Sequence, residues 1–114
     1  MVHESITERN EGIKLKAELR QLDTIPELRE ASANIKGIKM DVENFESFVL
    51  RGGKELLKQW KPVVYTELWD NDNRYACFTL MQELGYTVKV VEGNRLVDFR
   101  PDAHTHQNFL FIPA

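Results

Sequence analysis

The alternation of strand-like and helix-like segments between residues 35 and 91 limits the fold more than any other feature of the chain. Runs rich in β-branched and aromatic residues lie at 35–42, 62–68 and 86–91, and the segments between them have apolar residues at helical spacing. Strands that alternate with helices usually pair in parallel through right-handed crossovers. The sequence therefore predicts a mainly parallel α/β sheet, one half of a doubly wound fold.

The intervening segments predict helices, each with its own start or stop signal. The expected helices are residues 45–51, 54–60 and 72–84. Asn44 can cap the first helix, and Gly52 and Gly53 can end it in the left-handed conformation. Gly85 is expected to end the last helix in the same way.

The remaining segments extend the sheet and place its ends. Residues 13–19 alternate apolar and charged side chains, which is typical of a half-exposed strand. The turn EGN at 92–94 predicts a hairpin, and the apolar segment NFLFI predicts a last strand at 108–112, so we expect an antiparallel edge at the C-terminus. Residues 1–12 carry little to bury and are interpreted as a flexible tail, which leaves one domain at 13–114.

Composition narrows the function classes. A chain of 114 residues is enough for one hydrophobic core. Its net charge of −3 predicts no general attraction to nucleic acid or to anionic lipid. Cys77 is the single cysteine, which excludes an internal disulfide framework and favours a reducing compartment. With no apolar run of membrane length and no signal-like start, the cytoplasm is the expected location.

Acidic residues gather where two predicted strands end. Asp41 and Glu43 lie at the end of one strand, and Glu67 lies at the end of the next. Adjacent strands lie ~4.8 Å apart, so these carboxylates would converge if the strands are neighbours. The alternative is structural, because acids near a helix start favour capping and the helix dipole, and Glu46 fits that interpretation best. Lys39, on the same strand face as Asp41, either pairs with it or is solvated.

The chain resembles the FkbM-type methyltransferases. The stretch IKMDVENFESFVLRGG, which begins at residue 38, is similar to the family signature I-K-x-D-V-E-G-x-E followed by a helix and a glycine. The likeness extends over residues 13–113, through LKAELRQLDTI, LLKQWKPVVYTEL, LMQELGYTV and NFLFIP. Asn44 replaces the usual glycine of the signature, and asparagine tolerates the left-handed backbone that such a turn needs.

The resemblance implies a partial Rossmann-like fold of the class I methyltransferases, whose sheet has seven strands with the last one antiparallel. It also implies S-adenosylmethionine as the methyl donor and usually a hydroxyl oxygen as the acceptor. Residues 37–42, 62–68, 86–91 and 108–112 would be its fourth to seventh strands. The glycine-rich cofactor loop is absent from the sequence, so the chain would be the substrate-side, C-terminal half of the domain.

The expected site lies outside the carboxyl ends of the strands, where ligands bind in open α/β sheets. Asp41, Glu43 and Glu67 are the candidate catalytic residues, as acceptor-orienting groups, as a base, or as ligands of a divalent cation. Trp69 is a candidate substrate wall, with packing under the loop as the alternative. Asn108 matches the asparagine that opens the family's last strand and is the other candidate substrate-binding residue, with the organisation of a turn as the alternative that is more common for asparagine.

Two further expectations concern metals and partners. His104 and His106 form a His-x-His pair without a visible third ligand, so solvation in a loop is favoured over metal binding. The expected partner is a small-molecule or glycan-type hydroxyl acceptor. If the chain is instead a non-catalytic module or a remnant, residues 37–42 would form an exposed sheet edge that pairs with a second copy or with a companion N-terminal half. Residues 13–19 could alternatively cover that edge.

Overall fold

The computed structural model describes residues 4–10 and 13–114, with side chains from Leu19 onward. The strands are β1 (Glu4–Asn10), β2 (Ile13–Leu19), β3 (Gly37–Met40), β4 (Val63–Glu67), β5 (Tyr86–Glu92), β6 (Arg95–Asp98) and β7 (Asn108–Pro113). The helices are α1 (Pro26–Arg29), α2 (Glu46–Arg51), α3 (Lys54–Trp60) and α4 (Asp72–Glu83), with a 3₁₀ turn at Leu22–Thr24. Within the described residues, no helix has the length and apolar character needed to cross a membrane.

The first two strands form an antiparallel hairpin that is separate from the main sheet. Strand β2 has the bounds that the sequence predicts. Strand β1, by contrast, lies where the sequence predicted a flexible tail. Residues 1–3 and 11–12 of that tail lie outside the described residues. The division of the chain into a tail and one domain at residue 13 stays a prediction.

The main sheet has five strands in the order β3-β4-β7-β5-β6. Only β3 and β4 pair in parallel, and the other three pairs are antiparallel. The expectation of a mainly parallel sheet with a C-terminal edge strand is therefore wrong in two respects. Most strand pairs are antiparallel, and β7 lies inside the sheet between β4 and β5 and not at its edge. Phe109 and Phe111 are fully buried there, and an interior strand buries such side chains better than an edge. The antiparallel edge is formed by β6.

One face of the main sheet carries the hydrophobic core. Helix α4 packs on this face through Phe78, whose ring meets Phe109 and Phe111 at centroid distances of 5.1 and 6.1 Å. Val64 in β4 is buried on the same face, while its neighbour Tyr65 is exposed, as the two-residue period of a strand requires. Because alternate residues face opposite sides, the acids at the ends of β3 and β4 project away from the core.

Two glycines end helix α2 for a different reason from the one predicted. Gly52 has φ −75° and Gly53 has φ −120°, so neither is left-handed. A Cβ on Gly52 would lie 3.2 Å from the side chain of Gln21, and one on Gly53 would lie 3.1 Å from Leu22. These glycines allow the 3₁₀ turn to pack closely against the helix junction. Gly85, at φ +88°, does end α4 in the left-handed conformation.

Asp23 joins the 3₁₀ turn to helix α3. Its carboxylate oxygens accept hydrogen bonds from the backbone amides of Glu55 and Leu56 at 3.0 and 2.8 Å. These amides belong to the first turn of α3 and have no partner within the helix. The Leu-Asp pair that supports the family resemblance therefore has a structural role, as a helix cap supplied from a distant segment.

Candidate active site

A small pocket lies at the carboxyl ends of β3 and β4. Four of its lining residues are the ones predicted from sequence, namely Asp41, Glu43, Glu67 and Trp69, and the others are Asn44 and Glu46. The parallel register pairs Met40 with Thr66, so the next residues along each strand, Asp41 and Glu67, follow side by side. The predicted convergence of the two strand ends is thus observed, while the roles of these residues remain predictions.

The three predicted catalytic carboxylates retain their full capacity to accept hydrogen bonds. The Asp41, Glu43 and Glu67 side chains are exposed and make no hydrogen bond or ion pair with any described residue. Lys39, the one expected partner of Asp41, is exposed and also forms no ion pair within the described part of the chain. Three uncompensated carboxylates around one pocket attract hydrogen-bond donors or cations.

The turn after β3 holds two consecutive residues in the left-handed region. Glu43 has φ +50° and Asn44 has φ +74°. Asparagine therefore does take the conformation that glycine would adopt at this position of the signature, as predicted. The predicted capping role of Asn44 is wrong, because Phe45 is the N-cap residue of α2 and the Asn44 side chain accepts a hydrogen bond from Asn71 instead.

The buried carboxylate of Glu46 stabilises this turn through hydrogen bonds. It is only 2% exposed, and its Oε2 atom accepts a hydrogen bond from the Val42 amide at 3.2 Å. Its Oε1 atom accepts a second one from Nδ2 of Asn73 at 3.0 Å. Both carboxylate oxygens of Glu46 are therefore used, which agrees with the structural role favoured for it from sequence.

Two asparagines that the sequence analysis did not single out connect the two strand ends. Asn71 donates from Nδ2 to Oδ1 of Asn44 at 2.9 Å, and its own Oδ1 accepts from the Arg74 amide at the start of α4. Asn73 accepts a hydrogen bond from the Ser47 amide at 3.0 Å. An asparagine directly before a predicted helix is a capping signal. The capping role of Asn71 could therefore have been predicted from sequence, whereas its hydrogen bond to Asn44 could not.

Arg74 is the other site neighbour that sequence did not reveal. Its guanidinium is buried, donates to the Leu68 carbonyl at 2.8 Å and lies 4.9 Å from the centre of the Phe109 ring. It also donates to the His106 carbonyl at 3.4 Å. Arg74 thereby fixes the chain that carries Glu67 and Trp69 into the pocket.

The two candidate substrate-binding residues differ in position. Trp69 lines the pocket and is 43% exposed, so a large part of its ring is available to a ligand. Asn108 lies opposite Glu67 in the antiparallel register of β4 and β7 and is exposed, but it does not line the pocket. A contact between Asn108 and a substrate would need a ligand that extends beyond the pocket over Glu67.

The described residues form no group of three metal ligands, and two buried titratable side chains lie away from the pocket. No group of three His, Cys, Asp or Glu side chains among them is placed to hold a metal ion. Burial, together with the charge of Glu46, raises the pKa of the Cys77 thiol to about 12, so Cys77 stays protonated at neutral pH. Burial also raises the pKa of Tyr86 to about 12, and neither residue lines the pocket.

The prediction that the two histidines are solvated in a loop is wrong for His104, which is buried. His104 is 9% exposed, with Nε2 located 2.8 Å from Glu92 and Nδ1 accepting a hydrogen bond from the Arg100 amide at 3.0 Å. His106 contacts the Val91 carbonyl through Nε2 at 2.9 Å. These contacts attach the loop that contains the two histidines to β5.

A larger open groove lies between α2 and α4. It is lined by Ser47, Arg51, Lys54, Tyr75, Ala76, Thr79, Leu80 and Glu83. None of the residues predicted to act in catalysis or substrate binding lies there. We therefore place the candidate site at the smaller acidic pocket, where residue chemistry and strand-end position coincide.

The fold and the pocket together define an α/β protein with an acidic pocket at the carboxyl ends of two parallel strands. A family model described as the methyltransferase FkbM domain matches residues 2–105, and the chain belongs to that family. The match begins earlier than the resemblance drawn from sequence and ends before β7. Neither a search of curated proteins nor a search of solved structures found a match.

Proposed function

We propose that this chain is the substrate-side part of an S-adenosylmethionine-dependent O-methyltransferase of FkbM type. One observation carries the proposal: in a chain of this family, three carboxylates that have no partner among the described residues surround one pocket at the ends of adjacent parallel strands. The acceptor we propose is a hydroxyl group of a small molecule or glycan, because hydroxyls donate hydrogen bonds to carboxylates. A cytoplasmic location belongs to the same proposal and is supported by the single cysteine.

The sheet topology supports the assignment to the class I methyltransferase fold. Strand β7 is antiparallel to both of its neighbours, as the resemblance implies for the last of seven strands. In this assignment β3, β4, β5 and β7 are the fourth to seventh strands. The first three strands and the glycine-rich cofactor loop would then belong to a companion N-terminal half.

The pocket residues would orient the acceptor and take up its proton. Asp41 and Glu67, side by side at the strand ends, would accept hydrogen bonds from the attacking hydroxyl, and one of them would act as general base. Glu43 would hold a neighbouring hydroxyl, and Trp69 would contact the apolar face of the acceptor. S-adenosylmethionine, when bound, supplies a methyl group on a positively charged sulfur. Alignment of the acceptor oxygen is the main contribution of the described residues.

The residues present do not by themselves form the cofactor site. No strand in the sequence is followed by a G-x-G loop, and Gly37, the glycine in β3, has only ordinary contact distances around it. We therefore assign the cofactor to the companion half. The acids likewise do not form a set of three metal ligands in the described residues, so the proposal includes no step at a metal ion.

Methyl transfer in the presence of a companion half tests the catalytic roles. The chain is combined with the glycine-loop half of an FkbM methyltransferase, and transfer of labelled methyl groups to sugars and polyols is measured. Asp41→Asn and Glu67→Gln should each lower the rate about 100-fold or more if the residue is the base. Asp102→Asn, which changes an exposed acid outside the pocket, is the matched control. Equal rates in all variants would contradict the proposed roles.

Calorimetric titration with S-adenosylmethionine tests separately whether the companion half, and not this chain, binds the cofactor. We expect no binding heat for the chain alone and saturable binding when the companion half is present. Saturable binding to the chain alone would show that its own residues hold the cofactor, and the assignment of that task to another segment would be wrong.

A second candidate function is a non-catalytic interaction module. The observation that favours it is strand β3, which has β4 as its only strand neighbour in the described part of the chain. An unpaired strand edge recruits another strand. This candidate predicts association without methyl transfer under any of the conditions above.

A further inference from the structure

The open groove between α2 and α4 differs from the acidic pocket in its hydrogen-bonding chemistry. Two cations line it, Arg51 and Lys54, and neither makes a hydrogen bond or an ion pair with any described residue. The side-chain hydroxyls of Ser47, Tyr75 and Thr79 also line it and have no hydrogen-bond partner in the part of the chain that the structure describes. All five side chains can donate hydrogen bonds, so the groove is complementary to a ligand rich in acceptor oxygens.

The guanidinium of Arg51 is positioned by an aromatic ring. Its central carbon lies over the Phe48 ring, 5.5 Å from the centre. A guanidinium that contacts an aromatic face keeps its in-plane N–H groups available to an anion. Lys54, the first residue of α3, lines the same groove. Two cations are therefore available to one anionic group of a ligand, and one of them is already oriented.

The wall formed by α4 supplies an aromatic ring and an acid. The Tyr75 ring is 45% exposed, and it packs against the Phe78 ring at a centroid distance of 5.7 Å, so it offers a fixed apolar face to C–H groups of a ligand. Glu83 follows about 12 Å further along α4, at about 1.5 Å per residue. It is exposed and has no ion pair with any described residue. Its carboxylate can accept a hydrogen bond from a ligand hydroxyl.

The acids of the pocket do not line this groove. Asp41, Glu43, Glu46 and Glu67 surround the acidic pocket and are absent from the wall of the groove. Glu46, which precedes Ser47 in the sequence, is buried, and both of its carboxylate oxygens accept hydrogen bonds. An anion would therefore be repelled at the pocket and attracted at the groove, so the two sites select different ligand groups.

We propose that the groove binds a sugar phosphate, at a site separate from the proposed methyl transfer. The phosphate group accepts hydrogen bonds from Arg51 and Lys54. The sugar ring lies against Tyr75, and one of its hydroxyls donates to Glu83. The volume of the groove, about 510 Å³, is within the range of roughly 300–1,000 Å³ for small-molecule sites. Glu83 distinguishes this ligand from inorganic phosphate, which the carboxylate repels.

Calorimetric titration of the full chain with glucose 6-phosphate tests the site. No S-adenosylmethionine is present, so the result does not depend on methyl transfer. We expect saturable binding that Arg51→Gln and Lys54→Gln each weaken about tenfold or more, because each variant loses a charge-assisted hydrogen bond. Arg95→Gln neutralises an exposed arginine on β6, outside the groove. It is the matched control and should bind like the unmodified chain.

Titration with inorganic phosphate tests the contact with the sugar. The unmodified chain should bind glucose 6-phosphate more tightly than inorganic phosphate. Glu83→Gln removes a negative charge, so it should bind inorganic phosphate more tightly than the unmodified chain does, and the preference for the sugar phosphate should shrink. An unchanged preference in this variant would contradict the assigned role of Glu83.

Vesicles that contain phosphatidylinositol distinguish a lipid headgroup from a soluble sugar phosphate. We expect them not to retain the chain in a flotation assay, because the proposed ligand is soluble. Three results would each overturn the proposal: no binding of glucose 6-phosphate, equal affinities of Arg51→Gln and Arg95→Gln, or binding to the vesicles alone.

Discussion

The acidic pocket and the histidine loop, residues 99–107, both contain residue types that often form functional sites, but their side chains are used very differently. In the loop, both ring nitrogens of His104 have partners and the ring stacks on Phe99 at a centroid distance of 5.9 Å. In the pocket, Asp41 and Glu67 have no partners among the described residues. Occupied polar groups hold a fold together, whereas unoccupied ones at a pocket are available to a ligand. We infer that the loop is structural, whereas the carboxylates of the pocket are available to a ligand.

Arg74 donates hydrogen bonds to the Leu68 carbonyl beside the pocket and to the His106 carbonyl in the histidine loop. Its removal should therefore have the largest effect on stability. Arg74→Ala would leave the buried carbonyl of Leu68 without its 2.8 Å donor and remove the guanidinium packed on Phe109. We expect the free energy of unfolding to fall by about 3 kcal/mol, measured by urea denaturation.

The matched control is Arg51→Ala. Arg51 is exposed, and its contact is with the ring of Phe48 at 5.5 Å, so the expected loss is below about 1 kcal/mol. Equal losses for the two variants would mean that the buried guanidinium does not support the pocket and the loop.

The histidine loop should show the next largest effect. His104→Ala removes the acceptor for the Arg100 amide, the contact with Glu92 and the packing on Phe99. The expected loss is about 2 kcal/mol of unfolding free energy, measured by thermal or urea denaturation. Thr105→Ala, the exposed residue between the two histidines, is the control and should change little. A His104→Ala variant as stable as the control would remove the basis for calling the loop structural.

Sequence patterns predicted local structure well where the cause was local. Helix α3 has the predicted bounds, Lys54–Trp60, because its apolar spacing and Pro62 act within one segment. The position of β7 was not predicted, since strand order depends on which distant strands bury the phenylalanines. Gly52 was correctly placed at a helix end for the wrong reason, because a glycine required by close packing looks the same in sequence as one required by a positive φ.

The candidate site shows the same division. Asp41, Glu43, Glu67 and Trp69 were found from strand ends and the family signature, and all four line the pocket. Asn108 was found in the same way but does not line it. The supporting contacts of Asn71 and Arg74 were missed because they join segments that are distant in sequence. Strand periodicity can show which residues reach the edge of a sheet, but it does not show which side chains hold that edge in place.

The left-handed turn offers a test of whether the pocket is maintained at a cost to stability. Glu43 is not glycine yet has φ +50°, a conformation that costs roughly 1 kcal/mol or more for such a residue. Relief of this strain in Glu43→Gly should raise the free energy of unfolding by about 1 kcal/mol. The extra conformational freedom that glycine gives the unfolded chain should offset part of that gain. Glu43→Ala retains the strain and serves as the control. If the alanine variant gains as much as the glycine variant, charge and not backbone conformation is responsible.

The smallest expected effects belong to the acids themselves, and they sharpen the comparison most. Asp41→Asn and Glu67→Gln remove charge from exposed side chains that have no partner among the described residues, so stability should change by less than about 0.5 kcal/mol. Any change should be a gain, because like charges around the pocket repel one another, and the gain should shrink at high salt. A loss above 1 kcal/mol would show that these carboxylates stabilise the fold in the way that His104 does, and the pocket would then be structural like the loop.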